Sequence, residues 1–72
     1  MCGIIAGIYE NVYDILLMGL NQLQNRGYDS AGICTLINNN FEMIKKASSD
    51  EITAIEYLKS KNLKGNIGIG HT

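Results

Sequence analysis

The feature that most constrains this chain is a run of apolar residues at helical spacing. Val12, Ile15, Leu16, Gly19, Leu20 and Leu23 fall at i, i+3, i+4, i+7, i+8 and i+11. That places them on one stripe of an α-helix, and such a stripe is stable only when buried against another element. Asn21, Gln22, Gln24 and Asn25 take the opposite, polar face. Asn11 stands where an N-cap belongs, and Asp14 puts a carboxylate in the first turn, where the helix dipole favours it. The spacing predicts a helix over 12–25. Gly19 costs about 1 kcal/mol relative to Ala in an isolated helix. Its place within the stripe points to close contact between helix and sheet.

Strands to receive that stripe lie on both sides of it. Residues 2–9 form a short apolar run with β-branched members and no polar alternation, which predicts a strand covered on both faces. After the helix, Gly27 suits a left-handed C′ position, and Asp29 and Ser30 suit a turn. A strand is predicted over 31–37 and its return over 41–45. Asn38-Asn39-Asn40 forms the hairpin tip, because Asn tolerates positive φ. Ser48 and Glu51 have capping-box spacing ahead of a second helix over 50–60, with Ile52, Ile55 and Leu58 or Leu63 on its apolar face. Over 65–72, isoleucines alternate with glycines. Ile67 and Ile69 then share one face, and the other is bare enough for something to approach the backbone. The order is β-α-β-β-α-β, an α+β chain. Cys34 reads as a small core residue and Lys45-Lys46 as a solvated pair.

Composition narrows the partners. A chain of 72 residues makes one small domain and buries only about 60% of its unfolded surface. Its apolar content of 46% is that of a globular chain, not a disordered one. A net charge of -1 leaves no basic footprint, so neither nucleic acid nor a membrane surface is an expected partner. Cys2 and Cys34 could form a single bridge at most, and there is no second pair for a zinc site. They read as free thiols in a reducing, cytoplasmic setting, with no metal and no cofactor. The apolar start lacks a positive leader and is too short for a signal peptide or a membrane span.

Cys2 is the candidate nucleophile. Once Met1 is trimmed, Cys2 carries a thiol and a free α-amino group on one Cα. The amine has an unperturbed pKa of about 7.7–8.0, so part of it is neutral near pH 7. A neutral amine can take the thiol proton directly or through one water, making one residue both nucleophile and base.

Three strings then belong together: Met1-Cys2-Gly3-Ile4, Arg26-Gly27-Tyr28-Asp29-Ser30-Ala31-Gly32, and Gly68-Ile69-Gly70-His71-Thr72. Their order and spacing resemble the N-terminal glutaminase region of the class-II glutamine amidotransferases. Within that family, Arg-Gly-Tyr-Asp-Ser-Ala-Gly and the Gly-His-Thr ending favour the members that make glucosamine 6-phosphate from fructose 6-phosphate. The resemblance implies an N-terminal nucleophile hydrolase fold, a four-layer αββα sandwich, of which residues 1–72 would supply the opening part. It implies that Cys2 attacks the side-chain amide of glutamine. Arg26 and Gly27 would pack beside the thiol, and a guanidinium there favours thiolate. His71 and Thr72 would begin a segment lining the glutamine pocket, with His71 as lining and not as a proton carrier. Without the resemblance, Arg26 reads as a solvated cation at a helix end.

The resemblance also implies what would lie beyond Thr72. The family's glutamine-binding Arg and Trp follow directly. The Asn-Gly pair of the oxyanion hole, the Asp that holds the substrate amino group, and the acceptor domain for fructose 6-phosphate come later. The 72 residues alone are therefore expected to be inactive, whereas full-length relatives are expected to be homo-oligomers. Two departures stand out: Ser48-Ser49-Asp50-Glu51 replaces a usual Gly-Lys-Val, and Ala6 replaces a frequent Gly. The alternatives are a truncated relic or interaction fragment, and a sister amidotransferase with another acceptor.

Overall fold

A computed structural model describes residues 3–23, 30–49 and 51–72. The elements run β1 (Ile4–Ile8), α1 (Val12–Leu23), β2 (Ser30–Ile37), β3 (Asn40–Ala47), α2 (Ala54–Lys59) and β4 (Ile67–His71). The architecture is α+β, in the order the sequence predicts. The strands form one antiparallel sheet in the order β1-β4-β2-β3. The last strand is thus inserted between the first and the second. Both helices lie on one face, α1 over β1 and β4, and α2 over β3 and β2.

The core is made between that face and the helices. Val12, Tyr13, Leu16 and Leu20 of α1 are buried with Ala31 and Ile33 of β2 and Ala54, Ile55 and Leu58 of α2. The observed stripe is rotated from the expected one. Tyr13 is buried, and Ile15 and Leu23 are partly exposed. The reason is the neighbour: α2 packs beside α1 and receives Tyr13, whose hydroxyl donates to the Leu58 carbonyl at 2.6 Å. A buried phenol needs such a partner.

Close packing of α1 rests on glycines in both elements. A Cβ at Gly19 would collide with Ile5 of β1. On β4, Leu16 and Leu20 occupy the space over Gly68 and Gly70, where a Cβ would sit 2.8 and 3.0 Å from their Cδ1 atoms. The bare face of β4 therefore receives α1. Upstream of β4, Gly65 holds a φ of 135°. Its carbonyl accepts from the Val12 N–H at 3.3 Å. The Lys64 carbonyl next to it accepts from the buried Thr35 hydroxyl at 2.8 Å.

Local turns are mostly as expected. Asn38 and Asn39 have φ of 51° and 64°, the left-handed pair that a tight hairpin requires. Asn40 is already paired, opposite Ile37. Asn11 turns the chain into α1, but with a φ of 57° where an N-cap is usually extended. Its carbonyl accepts from the Asp14 N–H at 3.2 Å.

The second helix corrects the sequence reading. It begins at Ala54, and its capping box is Thr53 with Glu56, not Ser48 with Glu51. Thr53 Oγ1 accepts from the Glu56 N–H at 3.1 Å and donates to Glu56 Oε1 at 3.0 Å. Ser48 instead accepts from the Ala54 N–H at 2.8 Å. Both pairs have the same spacing, and the winner is the one that leaves Ala54, Ile55 and Leu58 facing the core. Lys46 is half-buried, not solvated, with its ammonium 5.1 Å from the Tyr57 ring centre. Gln24, Asn25, Gly27, Asp29 and Asp50 lie outside the described residues.

Among the described residues the sheet's other face is open, so the cover expected on both sides of β1 is present on the helix side alone. Its register sets three rows across the four strands. The rows are Ile4-His71-Gly32-Lys45, Ala6-Ile69-Cys34-Met43 and Ile8-Ile67-Leu36-Phe41. Ile4, Ile8 and Phe41 are 77–79% exposed, and Met43, Ile67 and Ile69 are about half or more exposed. Cys34 is half-buried in the middle row, so it belongs to this open face and not to the core.

Candidate functional site

The sheet order brings the ends of the three sequence strings together. Antiparallel pairing puts the start of β1, the end of β4 and the start of β2 at one end of the sheet. Residues far apart in sequence thereby become neighbours: Ile4 pairs with His71, and His71 with Gly32. Cys2, Arg26 and Gly27 lie outside the described residues. The residues that adjoin them do not. Gly3 follows Cys2 and lies beside Thr72. Ser30 opens β2 three residues after Gly27, and Gly32 is the third residue of that strand.

Thr72 is joined to Gly3 by two bonds. Its N–H donates to the Gly3 carbonyl at 3.0 Å. Its hydroxyl oxygen accepts from the Gly3 N–H, also at 3.0 Å. The register of β1 and β4 continues through this pair, since Ile4 opposite His71 is followed by Gly3 opposite Thr72. Both residues are half-buried. On the helix side, a Cβ at Gly3 would sit 3.0 Å from Leu23 Cδ1.

His71 lies on the open face, in the row that ends with Lys45. Its imidazole leans over Gly32, where a Cβ would be 2.9 Å from Nε2 and 2.8 Å from Lys45 Cγ. The missing side chain at Gly32 is what makes room for both. This small role was open to sequence reasoning, since Gly32 closes the second string and glycine in a strand marks close approach. The structure thus places His71 and Thr72 on opposite faces of the sheet end. His71 faces the open side and Thr72 is fastened to the main chain of β1.

Among the described residues, no group of His, Cys, Asp and Glu is placed to hold a metal ion. No helix there is long and apolar enough to cross a membrane.

No family model matches the chain. Comparison with curated proteins, however, finds relatives along its whole length. They are aminotransferases that use glutamine, and the whole chain is homologous to their N-terminal region. Each of the following carries one name, glutamine–fructose-6-phosphate aminotransferase (isomerizing). The protein of Buchnera aphidicola is 48% identical over 75 residues, covering 100% of this chain and 12% of the relative. That of Caldanaerobacter subterraneus is 47% identical over 73 residues, again 100% and 12%. The mimivirus protein, named as a probable member, is 44% identical over 78 residues, 100% and 13%. The chain spans about an eighth of the length of the curated relatives it matches.

Proposed function

We propose that residues 1–72 form the opening part of a glutaminase domain, and that Cys2 is its nucleophile. The observation that carries this reading is the meeting of the three strings at one sheet end, in a chain homologous throughout to glutamine-dependent aminotransferases. The strand that follows Cys2 is flanked by the strand that ends in His71-Thr72. That strand is flanked in turn by the one that follows Arg26-Gly27.

With Met1 removed, the α-amino group of Cys2 takes the thiol proton, and the sulfur attacks the side-chain carbonyl carbon of glutamine. A tetrahedral adduct forms and collapses, breaking the C–N bond. The amine returns the proton, and ammonia leaves. Water then attacks the γ-glutamyl thioester, releasing glutamate and restoring the thiol. The balance is glutamine plus water to glutamate plus ammonia. In this reading Arg26 and Gly27 belong to the nucleophile's surroundings, where a guanidinium would favour the ionised thiol. His71 and Thr72 border the glutamine pocket. In the whole protein the ammonia aminates fructose 6-phosphate, giving glucosamine 6-phosphate, and the protein is a cytoplasmic homo-oligomer that needs no metal or organic cofactor for the glutaminase step.

The open face supports the finer reading of the fold. Helices on one side of the sheet and a largely apolar face on the other are what one half of an αββα sandwich would present. Apolar surface of this kind is normally covered. A second sheet packed there, about 10 Å away, would complete the four layers.

The test is glutamate release from glutamine by the full chain as its gene encodes it, compared with Cys2→Ala. The wild type should hydrolyse glutamine and the variant should not. Equal rates would remove Cys2 from the mechanism.

A further inference from the structure

Resting on that reading, we infer that Thr72 is a positioning residue for the nucleophile, acting through the peptide between Cys2 and Gly3. In an antiparallel ladder, the residues of a hydrogen-bonded pair exchange two main-chain bonds. Gly3 and Thr72 make only one of the two in that form, from the Thr72 N–H to the Gly3 carbonyl at 3.0 Å. The second passes from the Gly3 N–H to the Thr72 hydroxyl, at 3.0 Å. The side chain has taken the place of the Thr72 carbonyl. The Gly3 N–H is thereby held by a side chain.

That N–H belongs to the Cys2–Gly3 peptide. A peptide is planar, and the plane contains Cys2 Cα, C and O together with Gly3 N and Cα. Fixing the Gly3 N–H and carbonyl therefore restricts where Cys2 Cα lies, and with it both the thiol and the α-amino group. A nucleophile at a chain terminus has no residue on its other side to hold it. This peptide is its one covalent tie to the fold. The Thr72 hydroxyl is accordingly occupied as an acceptor by the protein's own backbone.

The experiment compares the full chain as its gene encodes it with Thr72→Val and Thr72→Ser. Glutamate release is measured across a range of glutamine concentrations. The rate of Cys2 alkylation by a glutamine-mimicking diazoketone is followed alongside, as is thermal melting. Misplacement of a reacting group by about 1 Å costs on the order of 10²-fold in rate. Thr72→Val should lower kcat and the maximal alkylation rate by about that factor, with KM little changed. Thr72→Ser, which keeps the acceptor, should recover most of the loss. Thr72→Ala carries the same expectation if the valine variant fails to fold. An unchanged kcat in the variants, with an active wild type, overturns this inference alone. So does a rise in KM at constant kcat, which would assign the hydroxyl to glutamine. A wild type that neither hydrolyses glutamine nor takes the adduct overturns the glutaminase reading, and this inference with it.

Discussion

Tyr13 shows how one side chain ties the two helices together. It is buried, and its hydroxyl donates to the Leu58 carbonyl at 2.6 Å across 45 residues of sequence. A typical buried hydrogen bond contributes about 1 kcal/mol net. The same carbonyl also accepts from the Lys61 N–H at 3.1 Å, so it keeps a partner in Tyr13→Phe. We therefore expect that substitution to cost about 1 kcal/mol, read from denaturant unfolding. Burial, and then the charge of Asp14, hold the phenol above its ordinary pKa of 10.0. The folded state keeps this proton at pH values where the unfolded state loses it. Tyr13 thus contributes nothing to pH dependence below the unfolded value, and stability falls as pH rises from about 10. Tyr13→Phe should flatten that alkaline fall. An equally steep fall in the variant would locate it elsewhere. The sequence does not announce this residue. Tyr13 lies one position off the apolar stripe, and only the docking of α2 decides that it turns inward.

At the scale of elements, the order β-α-β-β-α-β was readable because each element carries its own local cause. The Asn38-Asn39 turn, the α1 stripe and the glycine alternation of β4 all work within a few residues of themselves. Choices between equivalent local signals were not readable. Two Ser/Thr-to-Glu pairs share capping-box spacing, and packing against β2 and β3 selects Thr53 with Glu56. Thr53→Ala should therefore destabilise by about 1 kcal/mol, whereas Glu51→Ala should fall within about 0.5 kcal/mol of wild type, as for an ordinary surface change. Chemical denaturation of both variants checks the assignment, and the reverse ranking would restore the Ser48 box. The sheet order was equally hidden. Nothing local in the sequence says that β4 inserts between β1 and β2, yet that insertion is what gathers the candidate site.

At the scale of the molecule, the sheet has one covered face and one open one, and the apolar run of β1 could not by itself say which. A run without alternation predicts cover on both sides. Within the described residues only the helix side is covered, and Ile4, Ile8, Ile67, Ile69, Phe41 and Met43 are exposed on the other. Cys34 is a free thiol at the centre of the open face, so its accessibility reads whether a second layer covers it. If a second sheet covers the face, a thiol reagent should label Cys34 slowly in the full chain as its gene encodes it, and quickly once that chain is unfolded. Fast labelling in the folded state would leave the face open and argue against the sandwich.

Of the candidate site residues, only His71 and Thr72 lie among the described residues. His71 and Gly32 came from the three strings, and the structure makes them neighbours. The Thr72 hydroxyl bond to Gly3 was not legible, because a side chain replacing a ladder carbonyl leaves no mark on spacing. The most direct test of the account is the intact mass of this protein from its own cells, before and after exposure to a glutamine-mimicking electrophile. The account predicts a species that lacks Met1 and gains a single adduct, which peptide mapping places on Cys2. A species that keeps Met1 and takes no adduct would contradict it, because Cys2 would then have no free α-amino group and no role as an N-terminal nucleophile.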